Sequence, residues 1–217
     1  MKQAKCLIQP SFCNLISILA ALLLAGCQSN KESSGNTTAP AAVAAAATVP
    51  ATSPAAPVPA ATSAPMPALP VHIKAGPSAS FTDADGNVWL PEQGFVDGDT
   101  AERPDVQIAN TKTPAIYQSE RYSMSSFSYP LPNGKYIVKL HFCETYEGIQ
   151  GPGDRVFSFN VQGKEFKDFD VWVKAGGFLR AYIETVNVEV TNGKLDITFT
   201  PKVENPQING IEIYPAP

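Results

Sequence analysis

The chain is short of cysteine, histidine and positive charge, and each shortage closes off a class of function. Four cysteines occur in 217 residues, and Cys6, Cys13 and Cys27 all precede residue 28. From Val71 onward Cys143 stands alone, so no disulfide can form within that part and its fold must rest on a core. Set between Phe142 and Glu144 in a strand-like run, Cys143 reads as a buried small residue rather than a catalytic thiol. The two histidines, His72 and His141, lie about 70 residues apart and neither has a second metal-type ligand at a recognisable spacing, so zinc, other metals and cofactors are not expected. From Val71 on there are 13 basic against 19 acidic side chains, the wrong sign for a nucleic-acid surface, and no basic amphipathic stripe faces anionic lipid.

Long apolar runs are also missing. Lys2 and Lys5 precede a run from Leu15 to Ala25, well short of the roughly 20 residues a membrane span needs, so residues 1–26 read as a signal peptide. Its end, Leu24-Ala25-Gly26-Cys27, looks like the lipobox of bacterial lipoproteins. That motif predicts lipidation at Cys27, membrane attachment through the N-terminal acyl chains, and, with Gln28 following, residence at the outer membrane of a bacterial envelope. An ordinary signal with a chance cysteine would leave the same letters. Residues 27–70 are Ala, Pro, Thr and Ser with only Lys31 and Glu32 charged, a composition that favours an extended, unfolded linker reaching roughly 130 Å at about 3.1 Å per residue. Glycan attachment along this stalk is an alternative role.

Residues 71–217 carry the pattern of one folded domain. Tyr136, Val138, Leu140 and Phe142 alternate with Lys135, Lys139 and His141, the signature of a half-buried strand. Asn133-Gly134 opens it, while Gln162-Gly163 and Asn192-Gly193 read as hairpin turns. Further strands are predicted at Phe127 to Tyr129, Val156 to Val161, Val186 to Val190, Leu195 to Phe199 and Ile208 to Tyr214. With few helical segments, this predicts an all-β fold, an antiparallel β-sandwich of the galactose-binding or jelly-roll type, with ligand contacts on loops at one end. Asp83, Asp85 and Gly86-Asn87 lack the spacing of a calcium loop and read as a tight turn. Trp89 and Trp172 are extra candidates for stacking surfaces, though each reads first as a core anchor.

Three stretches suggest one surface: Tyr117-Gln118-Ser119-Glu120-Arg121-Tyr122, Phe142-Cys143-Glu144-Thr145-Tyr146, and Glu204-Asn205-Pro206-Gln207-Ile208-Asn209-Gly210-Ile211-Glu212-Ile213. They combine flat rings, which cover the C–H face of a pyranose, with carboxylates that bond its hydroxyls. These stretches, together with His72-Ile73-Lys74-Ala75-Gly76, Asp85-Gly86-Asn87-Val88-Trp89, Arg155-Val156-Phe157 and Asp168-Phe169-Asp170, occur in an order that resembles the malectin domain family of carbohydrate-binding β-sandwich modules. The resemblance implies a non-catalytic module for an oligosaccharide or polysaccharide, a glucan or related glycan, bound by Tyr122, Tyr146 and Glu204, with Glu147 standing where the family has a phenylalanine. A further family tyrosine upstream of Tyr117 has no evident counterpart. Glu120 and Glu144 read as structural, with Arg121 or Arg155 as partners. The rival reading is an envelope protein-interaction or structural lipoprotein that has lost the sugar site. A glycoside hydrolase would need two carboxylates about 5 to 9 Å apart with one held protonated, and no apolar pocket for that is evident.

Overall fold

The computed structural model describes residues 68–76 and 79–217. The predicted leader (1–26), Cys27 and nearly all of the linker (27–70) therefore lie outside the described residues. Among the described residues fourteen strands follow in chain order: β1 (Val71–Lys74), β2 (Phe81–Thr82), β3 (Val88–Leu90), β4 (Phe95–Val96), β5 (Asp99–Glu102), β6 (Ser119–Tyr122), β7 (Ser126–Pro130), β8 (Gly134–Phe142), β9 (Val156–Val161), β10 (Lys164–Phe169), β11 (Tyr182–Val190), β12 (Lys194–Val203), β13 (Gln207–Ile208) and β14 (Gly210–Pro215). One short helix, α1 (Val171–Ala175), and a 3-10 turn at Pro114–Ile116 interrupt them.

Two large sheets face each other, one ordered β11-β8-β14-β1-β3-β2 and the other β10-β9-β12-β7-β4. Apart from the parallel pairing of β1 with β3, the described strand pairs are antiparallel. The period-two pattern explains the core. Val138, Leu140, Phe142, Ile211 and Ile213 from one sheet meet Phe127, Phe157, Phe159, Leu195 and Ile197 from the other, all buried. Phe142, Phe157, Phe159 and Phe169 form a ring cluster with centroids 4.9–6.2 Å apart. Each ring contributes about 1.5–3 kcal/mol by leaving water, which replaces what disulfides supply elsewhere. The all-β, mostly antiparallel jelly-roll sandwich is thus the fold of this chain.

Two local readings need correction. Asn192-Gly193 is a crossover between the sheets, because β11 pairs with β8 whereas β12 pairs with β7 and β9. Gln162-Gly163 is the true hairpin turn, joining β9 to β10 with φ of 49° and 89°, the pair of positive values such two-residue turns use. The helix was not visible in the pattern either. Asp170 caps it by accepting from the Val173 amide at 3.1 Å, and Gly176 ends it at φ 77°.

Outside the core, the six-stranded sheet has a second apolar layer of Trp89, Ile108, Ile116, Tyr117, Cys143 and Ala181. A third small sheet, β13-β6-β5, stands beside it and carries the site.

Candidate functional site

The convergence of the three stretches has a physical cause in one side chain. Asn209, fully buried, accepts from the Cys143 amide at 2.7 Å and donates to the Ser119 carbonyl at 2.8 Å and the Tyr117 carbonyl at 3.4 Å. Its own amide donates to the His141 carbonyl at 2.9 Å. Gln207 adds a bond from Nε2 to the Cys143 carbonyl at 3.2 Å. Two buried amides thereby pin the end of β8, the start of β6 and the approach to β14 to one another. An asparagine inside an otherwise apolar strand was the available sequence signal, since a buried amide must spend its bonds on backbone.

These anchors leave an open cavity of about 350 Å³ lined by Ala101, Arg103, Glu120, Tyr122, Tyr146, Arg155, Glu204 and Asn205. Tyr122, Tyr146 and Glu204, drawn from the three stretches, thus line one cavity. Tyr122 is set by the β6 register, opposite Gln207 on β13 and Asp99 on β5. The strands can approach there because Gly98 has no Cβ: one would sit 2.1 Å from the Tyr122 carbonyl. Tyr146 is 45% exposed and leans against Gly148, where a Cβ would lie 2.5 Å from its ring. The glycine sets how the ring stands. Glu204 holds a left-handed backbone, φ 55°, a conformation that costs about 1 kcal/mol or more for a residue with a Cβ. Its carboxylate accepts only from its neighbour Asn205 among the described residues, at 3.1 Å from the amide. Glu147 does not join them. It lines an adjoining open cavity of about 550 Å³ with Glu102, Arg103, Pro104, Asp105, Val106 and Tyr146.

The acidic residues assigned to structure divide differently. Glu144 is fully buried and accepts from Arg155 Nε at 2.7 Å and from the Tyr146 amide at 3.0 Å, so it positions the ring. Burial pushes its pKa up, against the pull of Arg155. Glu120 pairs with Arg103 at 3.1 Å and not with Arg121, which pairs with Glu92. Glu120 also lines the cavity. Sequence reading missed Ala101, Arg103, Arg155 and Asn205 there, and Arg103 had no local cue because its partner is 17 residues away across a turn.

Behind the site, on the outer face of the six-stranded sheet, both histidines meet Glu212. His141 Nε2 lies 2.6 Å from Glu212 Oε1, and Tyr214 donates its hydroxyl to Oε2. His72 Nε2 is 3.1 Å from the Tyr214 hydroxyl and Tyr117 is 2.8 Å from His141 Nδ1. A carboxylate only accepts, so the bonds from His141 and Tyr214 both run inward to Glu212. Burial opposes that charge, but the His141 and Tyr214 bonds and nearby Lys139 outweigh it and hold Glu212 at about 2. Trp89, 1% exposed, packs edge-on to His141 at 5.3 Å and donates to Asp83, so it is a core anchor. Asp83 also accepts from Asp85 and Asn87, making the tight turn. Trp172 stacks with Phe178 at 6.1 Å on the α1 side. The Cys143 thiol is buried and pushed up to about 12 by burial, with Glu144 and Glu120 adding to it.

The malectin domain model matches residues 69–211. The chain belongs to the malectin domain family. It is similar to Malectin-B of Xenopus laevis, 31% identical over 111 residues, covering 47% of this chain and 39% of that protein. It is also similar to an LRR receptor-like serine/threonine-protein kinase of Arabidopsis thaliana, 38% identical over 92 residues, 39% of this chain and 9% of that protein. The chain spans less than half the length of these curated relatives. Among solved structures, a β-glucuronidase of Bacteroides uniformis shares the fold with a TM-score of 0.62 at 20% identity, covering 69% of this chain and 18% of that one. That likeness is of fold alone.

The family match supports a malectin-type carbohydrate-binding domain, a kind of module without catalytic activity of its own, over residues 69–211. The matches correct the expectation of a bacterial lipoprotein lipidated at Cys27 and anchored in the outer membrane. The curated relatives it matches are animal malectins and plant receptor-like proteins rather than bacterial lipoproteins, and the motif ending in Cys27 lies outside both the matched and the described residues.

Proposed function

We propose that residues 71–217 hold a glucan or related glycan in the cavity between Tyr122, Tyr146 and Glu204. Tyr146 covers the apolar face of one sugar ring, Tyr122 closes the opposite side, and Glu204 accepts from ring hydroxyls. Glu147 acts from the adjoining cavity on a neighbouring sugar. The observation that carries this reading is that two rings and a carboxylate with spare acceptor capacity line one open cavity of about 350 Å³. Open sites of this size leave much of a ligand in water, so affinity is modest. Titration calorimetry of the chain against α- and β-linked glucans tests it: heat with at least one glucan, lost in Tyr146→Ala without loss of fold, is expected. Absence of heat across the panel overturns it.

A second reading, recognition of a protein by a module whose sugar site has lapsed, draws on the receptor-like kinases among the relatives and on Glu147 in place of a stacking ring. A pull-down returning a protein partner whose capture survives replacement of both Tyr122 and Tyr146 favours it.

A further inference from the structure

From the segment upstream of Tyr117, Ala101 and Arg103 line the first cavity, and Arg103 is the polar group of that wall. It belongs to both adjoining cavities, and with Tyr146 it forms the ridge they share. Its placement is rigid. The backbone amide donates to the Gln118 carbonyl at 2.7 Å, and Nη1 donates to Glu120 Oε1 at 3.1 Å and Thr145 Oγ1 at 3.0 Å. Thr145 closes the ring by donating to Glu120 Oε2 at 3.1 Å. Both protons of Nη1 are thereby used, whereas Nε and Nη2 donate to no described residue. The side chain is 25% exposed, so a fixed edge of guanidinium N–H groups is open at the junction of the cavities.

Such an edge fits two oxygens side by side, either a carboxylate or a pair of neighbouring sugar hydroxyls. Charge decides between them. Arg103 is already neutralised by Glu120, and Arg155, the other guanidinium of the cavity, is neutralised by Glu144 and also gives Nη1 to the Asn205 carbonyl. What remains on the walls is negative: Glu204 in the first cavity, and Glu102, Asp105 and Glu147 in the second. A ligand carboxylate gains a bidentate bond there but meets uncompensated carboxylates of its own sign. A diol gains the same bond without that penalty, and Glu204 or Glu147 can take its protons.

Resting on the glycan reading above, we propose that Arg103 is a specificity-determining residue whose open edge bonds adjacent hydroxyl oxygens of an uncharged glycan, and that the charge balance around it turns away uronic-acid glycans. The test is calorimetry of the full chain with α- and β-linked glucotrioses and with trigalacturonate as the acidic probe, at low and moderate salt. At least one glucotriose binds tenfold or more tightly than trigalacturonate, and the gap widens at low salt, where repulsion is less screened. Arg103→Ala lowers glucotriose affinity at least tenfold. Arg103→Lys keeps the charge but not the fork and loses most of that affinity too, which separates recognition from charge if the alanine variant misfolds. Glu120→Gln, which unbalances Arg103, narrows the discrimination against trigalacturonate several-fold. Equal or tighter binding of trigalacturonate, or glucotriose affinity within twofold of wild type in Arg103→Lys, overturns the assignment of Arg103 while leaving the glycan site standing. Failure of every probe on the wild-type chain removes the glycan reading and this inference together.

Discussion

Two clusters of tyrosine, carboxylate and basic side chains stand close together in this molecule and are put to opposite uses. Around Glu212, the polar groups of Tyr117, His141, Tyr214 and His72 bond to one another, with Tyr117, Glu212 and both histidines buried and Tyr214 half-buried. At the rim, Tyr122, Tyr146, Glu204 and the edge of Arg103 use much less of their bonding capacity on the protein. The same residue types serve stability where their bonds are spent internally, and are free for a ligand where they are not.

Removing the centre of the Glu212 cluster separates the two uses most strongly. Glu212→Ala orphans the donors of His141 and Tyr214 and should cost about 3 kcal/mol in urea unfolding, with glycan affinity of the folded fraction within twofold of wild type. Tyr146→Ala should do the reverse: at least tenfold weaker glycan binding, which is about 1.4 kcal/mol, and a stability change within about 0.5 kcal/mol, because nearly half of the residue's surface is exposed.

Acid should act on the Glu212 cluster first. Burial lowers the pKa of His72 in the fold, against the attraction of Glu212, so below about 6.5 the unfolded chain takes up a proton that the native ring refuses. Stability therefore falls as pH drops from about 6.5 to the lowered native value. Glu212, held at about 2, contributes stability that is complete above about 4.5 and lost as pH falls from there toward 2. Melting temperature against pH should show both windows, and His72→Gln should flatten only the upper one. The smallest effect is expected from Gly148→Ala. Its backbone tolerates a side chain, but the Cβ meets the Tyr146 ring, so glycan affinity should fall a few-fold with little loss of stability. Unchanged affinity would mean that the set of the ring is immaterial.

Much of the frame was legible in the chain. Alternation along Tyr136 to Phe142 identified the strand and its inward face, and Val156 to Val161 coincides with β9. The extra strand length at Tyr182–Thr185 and Thr200–Val203 was not legible, because ladder partners rather than local propensity extend those ends. Nor was α1, which five residues and an Asp170 cap make too short for a periodic signal. Of the site, tyrosines and acids could be named, but not Arg103, whose role depends on Glu120 and Thr145 folding around it.

The sandwich was readable from the chain, because side-chain period and turn residues are local properties that each segment carries alone. The chain also supplied two histidines, several tyrosines and a surplus of acids without assigning them. Which of these were consumed in burial and which faced solvent was settled by long-range packing. Hydrogen-bond satisfaction and charge balance depend on partners brought from distant parts of the chain, as Asn209 brings three stretches together and Glu212 gathers both histidines.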